Sequence, residues 1–198
     1  MKTSAKKPLK EVTSCPEGSC LVHAHNRKKK NKRGEPYIQH VHNYCRMIPN
    51  YFDNFCKTEN PENPSLTYAI LTAFGEARGE PDESIKAIAW IIKNRKQIKK
   101  WKGTYKNIVL SERQFDCWNP SDKNYPAILR IIHHDKKEQE AWEKCKKIVE
   151  EVHNAPEEKN PLPLVYNYFT GAPKFAWQKN YFDLPTIPRS HFVKLANP

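Results

Sequence analysis

At 198 residues, 38% of them apolar, the chain is long enough for one good hydrophobic core and a small appended module. No apolar run approaches the roughly 18 residues of a membrane span, and the N-terminus lacks the apolar centre of a secretory signal, so the sequence predicts a soluble chain without an export address. Lys and Arg total 34 against 22 acids, a formal +12, which predicts attraction to nucleic acid, anionic lipid or acidic wall polymer without choosing among them.

The charge is uneven. Residues 1–60 hold 12 basic and 5 acidic side chains (+7), and residues 61–198 hold the other 22 and 17 (+5). Residues 1–35 have almost no apolar periodicity, and RKKKNKR, Arg27 to Arg33, is a block of charge; a flexible or metal-clipped arm is expected there. Cys15, Cys20, Cys45 and Cys56 fall in this first part, with His23, His25, His40 and His42. The four cysteines could ligate one structural Zn²⁺, which would order a segment too small to fold by apolar burial, or they are free thiols or disulfides. Between Pro36 and Lys57, aromatics such as Tyr37, Tyr44, Phe52 and Phe55 could pack against the main domain. TENPENP then reads as a linker, so the predicted division is an arm over 1–60 and a domain over 61–198.

From Ser65 the pattern changes. Leu66, Ala69, Ile70, Ala73, Phe74 and Ala77 recur at helical spacing behind a Pro-Ser start, which predicts a buried helix. A second helix from about Asp82 carries Ile85, Ile88, Ala89 and Ile92 on one face and a basic end at Lys99 and Lys100. Residues 101–126 are loop-rich and aromatic, like a cleft wall. Asp135 with Glu138 forms a capping box for a third helix lined by Trp142, Cys145, Ile148, Val149 and Val152. Cys117 and Cys145 read as small buried hydrophobes. Beyond Pro161, aromatic and Pro-broken stretches predict short strands or extended segments.

AFGEARGEP, Ala73 to Pro81, carries the chemistry. At about 100° per residue Glu76 falls at the rim of the apolar stripe, beside Ala69 and Thr72 and one turn from the helix end. Desolvation and the negative end of the helix dipole both disfavour the ionised form there. A glutamic acid that keeps its proton can give it to a glycosidic oxygen, a step that glycoside cleavage needs because a sugar alkoxide is a poor leaving group. The competing reading is an ordinary edge carboxylate paired with Arg78 or Lys86.

The string FGEARGEPDESIKAIAWIIKNRK, Phe74 to Lys96, resembles the cell wall hydrolases of the spore-cortex-lytic enzyme type, with further matches at QFDCWN (Gln114 to Asn119), YNYF (Tyr166 to Phe169) and IPRSHF with His191. The resemblance covers about residues 64–195. VYNYF lacks the Gly and His of the family's corresponding motif, and Lys123 to Lys137 has no counterpart. The resemblance implies a lysozyme-like domain, mainly α within an α+β class, and cleavage between N-acetylmuramic acid and N-acetylglucosamine with Glu76 as catalytic glutamate and no catalytic cofactor. It further implies lytic transglycosylation, in which one glutamate serves first as acid and then as base. Asp116 and Asp183 are the candidate bases if the reaction is a muramidase hydrolysis. Asn94, Gln114, Phe115, Trp118, Tyr166, Tyr168, Trp177 and His191 are the candidate substrate-binding residues, the aromatics as sugar platforms; Arg95 reads as a charged helix end. Peptidoglycan is the expected partner, with anionic envelope polymers or virion proteins at the basic arm. Lacking an export signal, the chain fits a phage lysin or virion-borne enzyme, held in the host cytoplasm until released to the wall. The alternative of another class is a polyanion-binding structural module whose lysozyme-like domain is inactive.

Overall fold

A computed structural model describes residues 12, 14–31, 33–98, 101, 103–111, 114–170, 181–187 and 190–194. The chain is a mixed α+β protein of two compact units, residues 1–48 and 49–198. The division falls ahead of TENPENP because Phe52 and Cys56, both fully buried, already belong to the core of the second unit.

In the first unit the expected flexible arm is a β-ribbon over its described residues. Strand β1 (Ser19–Val22) pairs antiparallel with β4 (Tyr44–Met47), and β2 (His25–Lys30) pairs antiparallel with β3 (Pro36–Val41). The turn is built on Asn31, whose side-chain oxygen accepts from the backbone N–H groups of Arg33 and Glu35, while Gly34 takes a φ of +82° that other residues rarely adopt. A two-stranded ribbon is marginal by itself. A disulfide between Cys15 and Cys45 closes its base, a constraint typically worth about 3–4 kcal/mol for a loop of that length.

That disulfide corrects the zinc set. Cys15 and Cys45 are spent in the bond, Cys20 is a free, half-buried thiol, and Cys56 is a buried thiol of the second unit. Among the described residues no group of three or more His, Cys, Asp or Glu is placed to hold a metal ion.

The second unit is built around α2 (Pro64–Ala77). Asn63 caps it by accepting from the N–H of Leu66, Pro64 opens it, and every residue from Leu66 to Gly75 is buried. It touches α1 (Asp53–Glu59), α3 (Asp82–Lys96), α4 (Tyr105–Val109), α5 (Tyr125–Ile132) and α6 (Gln139–Asn154). Asp135 caps a short 3-10 turn, Lys136–Glu138, that leads into α6 and not α6 itself; Glu138 turns instead to Arg130 and Arg78. Lys93 of α3 donates to the carbonyls of Val152, His153 and Ala155, so its ammonium caps the C-terminal end of α6. An antiparallel sheet in the order β5 (Val165–Thr170), β7 (Ser190–Lys194), β6 (Tyr181–Asp183) completes the unit. No helix among the described residues is long and apolar enough to cross a membrane.

Asp53 ties α1 to this core, accepting from the Tyr68 hydroxyl at 2.6 Å and from Lys106 at 2.7 Å. Burial alone would raise its pKa, but these two hydrogen bonds, together with the charges of Lys106 and Lys57, outweigh it and hold the carboxyl below its ordinary 3.8. A carboxyl lowered in the folded state adds stability above its unfolded pKa and loses it as pH falls through the folded one. Asp53→Asn should therefore lower stability at neutral pH by roughly 1 kcal/mol, the pair being partly solvated. Thermal unfolding of both proteins checks this: the gap should close as pH is taken below 3.8, and a gap unchanged by acid would refute the assignment.

Candidate active site

Glu76 sits in the last turn of α2, half-buried, the one carboxylate of that helix. Its position follows from Gly75: a Cβ there would stand 2.7 Å from Cys117 Cβ and 2.9 Å from its Sγ. Without that Cβ, the 3-10 turn Asp116–Trp118 lies directly against α2, and the N–H of Cys117 donates to Glu76 Oε1 at 3.0 Å. The turn is fixed further by Trp118, whose indole N–H donates to Thr72 Oγ1 at 3.0 Å, one helical turn before Glu76.

The second oxygen is held from β5, where the Tyr168 hydroxyl donates to Glu76 Oε2 at 2.6 Å. Burial and the charge of Glu76 push the Tyr168 phenol well above its ordinary range, so it is a hydroxyl at any working pH. The same two causes push the Cys117 thiol up, which makes it an inert packing group there. Two donors thus meet the carboxyl group, one per oxygen, and both are placed to stabilise a negative charge on it.

Arg95 supports this pair from behind and is no solvated helix end. It is 2% exposed, donates from Nε to Tyr166 O at 2.7 Å and from Nη2 to Asn167 Oδ1 at 3.0 Å, and lies under the Phe115 ring at 4.6 Å. Both hydrogen bonds fix the stretch of β5 that carries Tyr168. Burial brings its pKa down to about 10, with the nearby negative charge of Glu76 acting the other way, so Arg95 remains a cation at neutral pH. Its Nη1 is buried without a hydrogen-bond partner among the described residues.

The other predicted site residues separate into neighbours of Glu76 and residues with structural duties. Asn94 is 1% exposed and spends its amide N–H groups on Leu162 O and Val165 O, which corrects its assignment from substrate contact to anchor of the loop before β5. Phe115, Trp118 and Tyr166 are 6%, 6% and 3% exposed, so none offers a ring face to a sugar: Phe115 covers Arg95, Trp118 packs on Phe52 and Tyr68, and Tyr166 makes a tilted contact with Trp101, ring centroids 6.3 Å apart. Tyr168 is the exception, since it touches the candidate acid itself. Gln114 is half-buried just before Phe115. Trp177 lies outside the described residues.

His191 is not brought to Glu76. It pairs with Phe169 across β5 and β7, one position along from the Tyr168–Phe192 pair, and successive strand residues face opposite sides of a sheet. There its Nδ1 meets Asp183 Oδ1 at 2.5 Å, which occupies one of the two candidate bases. Asp116, the other, is exposed beside Cys117. Glu80 is exposed, and Asp82 pairs with Lys144 at 3.4 Å. The described hydrogen-bond partners of Glu76 include no second carboxylate.

The donor that sequence reading missed is a backbone N–H, that of Cys117. Backbone donors carry no residue signature; the nearest signal was the glycine beside the glutamate, which marks a close approach without naming what approaches.

The sequence profile of the cell wall hydrolase family matches residues 79–193, more than half of the chain. The match takes in Arg95, Cys117 and Tyr168 and begins three residues after Glu76. No curated protein and no solved structure matches the chain. A family match of that extent, running through the helix, turn and strand that surround Glu76, makes the chain a member of the cell wall hydrolase family and so an enzyme of peptidoglycan degradation.

Proposed function

We propose that the chain cleaves the glycan strand of peptidoglycan between N-acetylmuramic acid and N-acetylglucosamine, with Glu76 as the single acid–base and a lytic transglycosylase outcome, on a domain of lysozyme-like kind. The observation that carries this reading is the setting of Glu76: a half-buried carboxyl at the end of a buried helix, with one N–H donor and one O–H donor on its two oxygens.

The protonated carboxyl gives its proton to the glycosidic oxygen as the bond from that oxygen to the muramyl anomeric carbon breaks, and the glucosamine leaves as an alcohol. The Cys117 N–H and Tyr168 O–H stabilise the carboxylate thus formed. The carboxylate then takes the proton of the muramyl hydroxymethyl group as that oxygen closes on the anomeric carbon. An anhydromuramyl end results, Glu76 is again protonated, and no water is consumed. A cation at Arg95 and a neutral Tyr168 keep the negative charge of the intermediate state within a polar, positioned surround.

The muramidase reading differs in its nucleophile, a water activated by a second carboxylate at a distance from the acid. Digestion in water labelled with heavy oxygen tests the choice: transglycosylation leaves the new muramyl ends unlabelled, and one labelled oxygen per new end would establish hydrolysis instead.

A further inference from the structure

We propose that the N-terminal β-ribbon is a binding element for the phosphodiester-linked anionic polymer of the cell wall. Arg27, Lys28, Lys29 and Lys30 are consecutive on β2, and none of them is ion-paired among the described residues. Only Glu17 and Glu35 carry negative charge between residues 14 and 48, and Glu35 is engaged by the Asn31 amide at 2.7 Å.

The strand pairing arranges these cations. Residues directly opposite share a face, so Arg27 and Lys29 stand with Gln39 and Tyr37 on one side of the ribbon, and Lys28 and Lys30 with Ile38 and Pro36 on the other. Along each face the two cations are about 6.6–6.8 Å apart. Tyr37 and Ile38, 45% and 68% exposed, lie across from Lys29 and Lys28, so each face combines positive charge with a solvent-facing apolar group. A flexible polyanion can follow either face; a buried cation pair for a single small anion is not what the ribbon offers.

Two observations favour a wall polymer over nucleic acid. The ribbon is closed by the Cys15–Cys45 disulfide, a bond that persists in oxidising surroundings outside the cytosol, where the envelope supplies the polyanions. The same chain carries a peptidoglycan-degrading unit, and a tether to the wall raises the local concentration of that unit at its substrate. The proposal therefore rests on the wall-directed reading of the second unit, but not on Glu76.

The test uses the full chain with purified sacculi that retain their phosphodiester polymer, and with the same sacculi after acid extraction of it. Co-sedimentation across a salt series should show tighter binding to the intact sacculi. The variant with Arg27→Gln, Lys28→Gln, Lys29→Gln and Lys30→Gln should bind intact sacculi at least roughly tenfold more weakly at low salt. Its log affinity against log salt should flatten by about 3, near 0.7 for each phosphate contact removed from a flexible strand. Its cutting rate on soluble glycan fragments should stay that of the wild type. Equal wild-type affinity for intact and extracted sacculi, an unchanged salt slope in the variant, or stronger binding to duplex DNA or anionic lipid vesicles than to the polymer at the same salt would each overturn the proposal. Failure of the Glu76 reading would appear separately, as glycan cutting that survives Glu76→Gln while this binding behaviour remains.

Discussion

Glu76→Gln should abolish release of soluble glycan from purified sacculi while leaving the protein folded. The amide has the shape of the acid without its transferable proton. General acid catalysis is typically worth about 10²- to 10⁴-fold, and where one residue is both acid and base the loss should reach the upper end or beyond. The fold should survive for a geometric reason. The Cys117 N–H can only donate, so the substituted amide must turn its carbonyl oxygen to that side and its NH₂ to Tyr168, whose hydroxyl can accept as readily as it donates. The buried Arg95 loses the nearby negative charge of Glu76, but its hydrogen bonds to Tyr166 and Asn167 are untouched, so the fold should be retained with only a modest loss of stability. Glu80, exposed at the surface, is the control: Glu80→Gln should keep substantial turnover. Near-wild-type release by the Glu76→Gln protein would remove Glu76 from the mechanism, and equal loss in both variants without unfolding would mean that the two act as a pair.

Arg95→Met should damage both stability and turnover, the second beyond what the first explains. The methionine fills much of the space but leaves Tyr166 O and Asn167 Oδ1 without their donor and removes the cation beneath Phe115. Unpaired buried acceptors and a lost cation–π contact together amount to about 3 kcal/mol, part of it offset because the desolvated charge itself is gone. At roughly 2–4 °C per kcal/mol for a chain of this size, Tm should fall by about 6–12 °C. Turnover measured well below that Tm should still be down by about tenfold or more, because β5 then no longer presents Tyr168 at hydrogen-bond distance to Glu76. Arg95→Lys restores the charge but not the planar fork and should recover turnover only in part. Full activity in the folded Met variant would mean that Arg95 serves the core alone.

The helices were legible where their periodicity was long. α2, α3 and α6 each run 14 to 16 residues with an uninterrupted apolar pattern, and Glu76 could be placed at the rim of α2 by arithmetic alone. α5 was missed because eight residues with a proline at the start give too short a repeat to separate from a loop. The ribbon was missed for a different reason. Its strands bury little, so the alternation that marks a strand is absent, and consecutive lysines look like a solvated tail unless the partner strand and the disulfide are known. The cysteines could not be paired from spacing, since Cys15, ahead of β1, and Cys45, on β4, lie 30 positions apart and come together only in the folded ribbon.

At the site, residue types were read more successfully than residue duties. The aromatics Phe115, Trp118 and Tyr166 read as sugar platforms, but an aromatic's count says nothing about which face is covered, and here the protein covers it. Asn94 and Arg95 act through contacts about 70 positions away, on β5 and the loop before it, which no local pattern records. Tyr168 was singled out for the substrate, and its hydroxyl reaches Glu76, a contact across 92 positions that no local pattern records.

The central claim is that this chain breaks glycan strands with Glu76, and mass spectrometry of purified peptidoglycan after digestion tests it most directly. The account predicts fragments with new anhydromuramyl ends and intact stem peptides from the wild-type chain, and none from the Glu76→Gln chain. Fragments cut only within the stem peptides, or new glycan ends that persist in the Glu76→Gln digest, would contradict it.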